Sequence, residues 1–348
     1  MCRTETGIKK EEMSMTIKDL AAKTGYAVGT VSRALNNHPN VSDKARQAIL
    51  KAAQESGFAL NMNAKQLKQQ HSTTILVVVK GSGNELFAEM VEMIQSLVSR
   101  TRYQLAVDYM DEDGNEVIRA VQLCREKKPQ GLLFLGGNKK NFMADFQRID
   151  VPCVLVTSDA SQLPFKNLCS VCCDEDQAVT QTINQLIQMG HRSIAIIGGY
   201  LDRSDTARRR FEGCLAAFRE NDVPFDPETD YAYSRFSYAG GYGAGQVLAS
   251  RGKKYTAIFC MADVMAMGAI RALTDSGLRV PEDVSVVGFD GLAIGEFIVP
   301  RLSTVSQSVN VLAQRAIELL RDNIEGKGIC AHETIPAQIQ WKESTRGI

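Results

Sequence analysis

From residue 74 onward, short apolar runs alternate with amphipathic stretches, and this alternation restricts the fold more than any other feature of the chain. Strand-length runs occupy 74–79, 104–108, 131–135, 153–157, 193–197, 257–260 and 284–288. Between and after them, 87–100, 116–127, 176–189, 207–221, 264–276 and 310–325 carry helical spacing. Runs apolar on both faces and joined by helices imply parallel sheets covered on each side. The series is too long for one domain, so two doubly wound subdomains with a cleft between them are expected. A chain of 348 residues, 44% hydrophobic, can bury cores of that size.

The first part of the chain has a different texture. Ile17, Leu20 and Ala21 form one apolar stripe, and Val31 with Leu35 forms another at helical spacing. Gly25 between them supplies the freedom of a tight turn, and small Ala21 lets the second helix cross closely. A third helix starts at Ser42, a good N-cap, with Asp43 in its first turn and Gly57 closing it. This is the layout of a helix-turn-helix DNA reader spanning 15–60, although an ordinary small helical domain would show the same stripes. Charge separates the two. Residues 15–70 hold eight Lys/Arg against three acids, whereas residues beyond 70 hold 29 basic against 34 acidic side chains. A basic head on an acidic body is the footprint of a protein whose head alone meets phosphates.

Other classes find little support. No apolar run approaches the roughly 18 residues of a membrane span, and the start lacks a signal-peptide apolar region. Nine cysteines, an odd number, fit a reducing cytoplasm. The Cys-Ser-Val-Cys-Cys stretch at 169–173 reads as a buried strand end, because no second Cys/His pair stands at zinc spacing. The glycine-rich run 240–245 lacks the strand and ribose-binding acid of a nucleotide site and reads as easing the start of a helix. With no phosphate loop and no nucleophile elbow, the expectation is a non-enzyme without catalytic residues, metal or cofactor. The first 14 residues are expected to be a disordered tail, with Met13 or Met15 as alternative starts.

Thr16-Ile-Lys-Asp-Leu-Ala, Gly29-Thr-Val-Ser-Arg-Ala-Leu-Asn36, Val41-Ser42, 189–199 (MGHRSIAIIGG), 210–213 (RFEG), 280–290 (VPEDVSVVGFD) and 342–345 (KEST) occur in this order. Together they resemble the lactose/galactose-repressor (LacI/GalR) family of bacterial transcription regulators. The resemblance implies an all-α helix-turn-helix head, a hinge helix at 61–72, and a periplasmic-binding-protein-like α/β core of two doubly wound parallel-sheet subdomains. One subdomain would comprise 73–172 plus 306–335, the other 173–305 plus 336–348.

By family position, Val28, Gly29 and Arg33 would read bases, with Thr30 and Ser32 near phosphate and Thr16 and Asn36 completing the head's DNA contacts. Arg33 can pair bidentately with guanine, Val28 offers only a methyl contact, and Gly29 offers no side chain. The half-site should therefore be fixed strongly at one G·C pair. Ala27 stands where the family usually has a capping Ser, at a cost of about 0.5–2 kcal/mol. In the hinge, Asn61, Ala64 and Lys65 would approach the minor groove. Leu67 would wedge into it, or else pack on the core. Leu60 replaces the usual Pro, and Lys65 the usual Arg.

In the cleft the resemblance implies ligand contacts from Arg210, Phe236 and Asp290, with Asp263 and Gln307 as further candidates and Asp202 and Arg203 at the mouth. Ala262 replaces the Asn of the usual Asn-Asp pair. The implied protein is a cytoplasmic, nucleoid-associated repressor, with no membrane role, controlled by a small carbohydrate effector. The chain ends three residues beyond Thr345 without a heptad tail, so a homodimer on a pseudo-palindromic double-stranded operator is expected. The alternatives are a sugar-binding protein without a DNA role, or a regulator answering a nucleobase or sugar phosphate.

Overall fold

Thr16 opens the first helix with a reciprocal cap. Its hydroxyl accepts from Asp19 N–H, and Asp19 Oδ2 accepts from Thr16 N–H at 2.9 Å. The computed structural model describes residues 16–35, 41–56, 73–328 and 330–348, and the chain divides into two units at Gln70/His71. In the N-terminal unit, α1 (Ile17–Thr24) ends at Gly25, whose φ of +71° is the left-handed cap that glycine adopts without strain. Next come α2 (Val28–Leu35) and α3 (Asp43–Glu55), the latter capped by Ser42, whose hydroxyl accepts from Ala45 N–H. Leu20, Ala21, Val31, Ala34, Val41, Ala45, Ile49 and Ala53 form one small core. The sequence pattern missed Ala34. Ile17 and Leu35, which it included, are only half-buried. Gly57 lies outside the described residues.

The larger unit contains two six-stranded sheets. The first has the order β11–β5–β4–β3–β1–β2 and is parallel throughout. Its strands are β1 (Thr74–Lys80), β2 (Gln104–Met110), β3 (Gly131–Leu135), β4 (Cys153–Val156), β5 (Leu168–Cys173) and β11 (His332–Ile335). The second has the order β12–β10–β9–β8–β6–β7, with only β12 antiparallel. It contains β6 (Ile194–Gly198), β7 (Tyr231–Tyr233), β8 (Ala257–Cys260), β9 (Ser285–Asp290), β10 (Ser303–Ser306) and β12 (Gln338–Gln340). The chain passes between the sheets three times: after β5, after β10 and between β11 and β12. After the second passage, helix Val309–Ile324 packs on helix Glu85–Ser99 and on β3, β4 and β5.

Several helix starts lie one or two residues earlier than the apolar pattern places them, while Glu116–Lys127 matches it. Asn84, Asp174 and Ser204 cap helices beginning at Glu85, Glu175 and Asp205, by accepting from Leu86, Gln177 and Ala207 N–H. Each of these helices opens on an acidic residue, which an apolar pattern cannot register. The glycine run 240–245 begins in the first turn of helix Tyr238–Ser250, where Ser237 caps by accepting from Gly240 N–H, and continues into the body of that helix. A Cβ on Gly241 would sit 2.1 Å from Met265 O, and one on Gly268 2.2 Å from Tyr238 O. The glycines let this helix press backbone against backbone on helix Asp263–Asp275.

Candidate functional site

The carboxyl ends of the strands in both sheets point into one cleft, of about 780 Å³ including its open mouth. Lys80 ends β1, Gly136 follows β3, Thr157 follows β4, Gly199 follows β6, Ser234 follows β7, and Asp290 ends β9. Two of these carry backbone that L-residues rarely adopt, φ being +71° at Thr157 and +133° at Asp290. Such strain persists only where surrounding structure enforces it, typically at ligand sites.

Arg210, on helix Asp205–Glu220, organises the floor. Its Nε and Nη2 donate to Glu175 Oε1 at 2.9 and 2.6 Å, Nη1 donates to the Met261 carbonyl, and the guanidinium lies 3.6 Å from the Phe289 ring centroid. Asp290 is 3.9 Å from Arg210 Nη1. Gln307 Nε2 donates to Asp290 Oδ1 at 2.8 Å, while Oδ2 is buried without a partner. Burial outweighs the attraction of Arg210 and pushes the Asp290 carboxyl up to about 8, with the Asp263 carboxylate adding repulsion. The floor thus offers one carboxyl oxygen that no protein group satisfies, a costly arrangement unless a ligand donates to it.

Phe236 covers one wall, its ring so close to Gly199 that a Cβ there would lie 2.5 Å from it. Its N–H donates to Glu112 Oε2 at 3.3 Å across the cleft. Further bridges join the two sides. Arg235 Nη2 meets Asp111 at 2.7 Å and its Nε meets Glu112 at 2.9 Å, while Arg203 meets Asp113 at 3.1 Å. Tyr238 OH donates to Glu85 at 2.7 Å, and Asn138 Nδ2 donates to the Arg203 carbonyl at 3.0 Å. Lys80 pairs with Glu116 at 2.6 Å.

The structure thus brings Arg210, Phe236, Asp290 and Gln307 together, with Arg203 at the wall. Two expected residues stand elsewhere. Asp263 does not line the cleft: it is fully buried and accepts from Gly291 N–H, Leu292 N–H and Thr304 Oγ1, pinning the loop after β9. Asp202 has a side chain 74% exposed beside Arg203 and also lies outside the lining, because the chain there turns outward before the Ser204 cap. Lys80, Phe87, Glu112, Thr157 and Tyr200 line the cleft and were missed. Their signal was positional, since each lies at or just beyond a strand's carboxyl end or at the start of the helix that follows one.

In the N-terminal unit, Val28, Gly29 and Arg33 are exposed on the side of α2 opposite buried Val31 and Ala34. Thr30 and Ser32 flank that face half-buried. Thr16 is exposed, but its hydroxyl is engaged with Asp19. The Ala27 carbonyl accepts from Thr30 and Val31 N–H, and its methyl group adds no side-chain cap. Asn36, Asn61, Ala64, Lys65 and Leu67 lie outside the described residues. Among the described residues no helix is long and apolar enough to cross a membrane.

Comparison with known proteins agrees with both units. The model of bacterial regulatory proteins of the lacI family matches residues 16–61, and that of the periplasmic binding protein-like domain matches 183–345. The HTH-type transcriptional regulator MalR of Clostridium butyricum is 32% identical over 95% of this chain and 99% of its own. A solved Lac repressor dimer bound to operator and the anti-inducer ONPF superposes with TM-score 0.79 at 25% identity, covering 96% of this chain and 100% of that one. A complex of the transcriptional regulator CelR with cellobiose gives TM-score 0.70 at 27% identity, covering 95% and 99%. The family's members are transcription regulators rather than enzymes. The chain belongs to the lacI family of bacterial regulatory proteins and is a DNA-binding, ligand-regulated transcriptional repressor.

Proposed function

We propose that the cleft takes a neutral sugar and that its occupancy sets the affinity of the helical head for a pseudo-palindromic operator. The observation that carries this reading is the unpartnered Asp290 Oδ2 in a cleft whose lining cations are already paired. Lys80 is held by Glu116, Arg203 by Asp113 and Arg210 by Glu175. A phosphate would need an uncommitted cation, whereas a hydroxyl can donate to Asp290. Phe236, Phe87 and Tyr200 supply aromatic surface for a sugar face. The cellobiose complex of the CelR relative supports the same ligand class.

The bridges from Arg203 and Arg235 to Asp111, Glu112 and Asp113 are the contacts a closing cleft would make and an opening one would break. The subdomain division at 172/173, 305/306 and 335/336 is supported by sheet membership to within one residue, since the passages follow Cys173 at the end of β5, Ser306 at the end of β10 and Ile335 at the end of β11. A homodimer is supported by the dimeric Lac repressor and by an apolar turn in which Phe297 and Val299 are 80% and 92% exposed. Val28, Gly29, Thr30, Ser32 and Arg33 are the proposed groove-facing residues of α2, with action in the cytoplasm where operator DNA lies.

The test is a thermal-shift and calorimetric panel of neutral sugars, sugar phosphates and nucleosides on the full chain. A neutral sugar is expected to bind and to lose affinity on Asp290→Asn. A sugar phosphate binding more tightly than its parent sugar would overturn the reading.

A further inference from the structure

Residues 235–238, which lead from β7 into helix Tyr238–Ser250, belong to the lobe of the second sheet but are gripped from the lobe of the first. Asp111 and Glu112, just past β2, meet Arg235 at 2.7 and 2.9 Å, and Glu85 accepts from Tyr238 OH at 2.7 Å. One contact in this set differs in kind. Glu112 Oε2 accepts from the backbone N–H of Phe236 at 3.3 Å. A bridge between two long side chains can follow their rotamers, whereas a bond to the main chain restrains where the residue itself stands. The same lobe also approaches the other side of this peptide, since a Cβ on Gly83 would lie 3.7 Å from Phe236 O. On its own lobe the Phe236 ring is confined by Gly199, where a Cβ would lie 2.5 Å from it. Ser234, two residues earlier, is held entirely at home, its N–H donating to the Gly198 carbonyl at 2.8 Å. Control of the backbone thus passes from β6 at Ser234 to the opposite lobe at Phe236. The Glu112 side chain is only 20% exposed, and burial raises its carboxyl above the ordinary value even beside Arg235. A carboxylate in such a place is unfavourable unless its oxygens are used, and both are, by Arg235 and by Phe236.

Resting on the reading of the cleft as a sugar site, we propose that Glu112 is a positioning residue: it bonds the Phe236 main chain from the opposite lobe and so sets the aromatic wall in place only when the cleft is closed. In an open cleft the Phe236 N–H turns to water and the ring keeps only the restraint from Gly199. Closure adds the second restraint and completes the surface on which a sugar face packs. Placement of the ring and closure of the lobes are then one event, and Glu112 is the residue that couples them.

The experiment is residue-resolved amide hydrogen exchange on the ligand-free full chain, wild type against Glu112→Ala and Glu112→Gln, followed by calorimetry with a neutral sugar from the panel above. Alanine removes both acceptors. Glutamine keeps a carbonyl oxygen for the Phe236 N–H and gives up the charge, with Asp111 still holding Arg235. Glu112→Ala is expected to speed exchange at Phe236 by at least about tenfold, with Ser234 exchange and the thermal midpoint as in wild type. It is also expected to weaken sugar binding by at least about fivefold, and Glu112→Gln to restore slow exchange and bring binding within about twofold of wild type. Phe236 exchange equal in wild type and Glu112→Ala, Glu112→Gln exchanging as fast as Glu112→Ala, or sugar binding unaltered in Glu112→Ala would overturn the proposal. A wild-type protein that binds no neutral sugar overturns the sugar reading alone, and the exchange comparison still decides whether Glu112 holds Phe236.

Discussion

Arg210 and Asp290 stand 3.9 Å apart in the cleft floor, yet the closest charged partner of Arg210 is Glu175, at 2.6 Å. Asp290 therefore carries a desolvation penalty that its neighbour only partly offsets, and burial holds its carboxyl near 8 against the ordinary 3.8. The folded state keeps this proton through a pH range where the unfolded state has lost it. Stability contributed by the protonated group is complete below about pH 4 and is lost as pH rises toward 8. Asp290→Asn removes that loss. Its ligand-free thermal midpoint at pH 8 is expected to exceed wild type by at least about 3 °C, with a smaller gap at pH 5. Scanning calorimetry at the two pH values checks this.

Ligand binding should show the reciprocal effect. Hydroxyls donating to Asp290 Oδ2 favour its carboxylate, so binding releases a proton when the free site is protonated. Arg210, Glu175, Asp263, Gln307 and the Cys173 thiol surround the group. Cys173 is held neutral by burial. Sugar affinity is expected to strengthen from pH 6.5 to 8 and then level off. Titration in buffers of different ionisation enthalpy reads the released proton directly.

In the head, Arg33 is exposed on α2 beside Gly29, which offers no side chain to a base. Arg33→Ala is expected to cost about 1–3 kcal/mol of discrimination at a single G·C position, leaving the other positions unchanged. Selection from a randomised operator pool measures it. Ala27→Ser, which restores a hydroxyl cap to α2, should stabilise the head by about 0.5–2 kcal/mol.

The bridges across the cleft are partly exposed, with Arg235 and Arg203 side chains at 50% and 55%. Each should contribute about 0.2–1 kcal/mol to closure. Arg235→Ala is expected to weaken sugar binding by about two- to fivefold, with little change in melting. Raising salt should weaken wild-type binding in the same direction, and calorimetry at two ionic strengths compares them.

Much of this was legible in the sequence, for identifiable reasons. β1, β3, β4, β6, β8 and β9 are apolar on both faces, and a continuous apolar run is visible without context. The edge strands β7, β11 and β12 are three or four residues long and were not read. Arg210, Phe236, Asp290 and Gln307 were placed through the family motifs. Asp263, expected from family position, is occupied in this structure by the loop after β9, and that loop's folding back on it is a tertiary contact the sequence does not display. Lys80 and Glu112 were missed because one ends β1 and the other stands two residues past β2 as ordinary polar residues, and only the assembled fold shows that this edge of the first sheet borders the cleft.

The central claim is that a sugar held by Asp290 changes operator affinity. Fluorescence anisotropy on a labelled operator, with and without a saturating sugar identified by calorimetry, tests it most directly. The account predicts a shift in operator Kd of at least about fivefold for wild type. For Asp290→Asn it predicts no shift at the same sugar concentration, with ligand-free operator binding retained. An operator Kd unmoved by bound sugar, or an Asp290→Asn protein responding as wild type does, would contradict it.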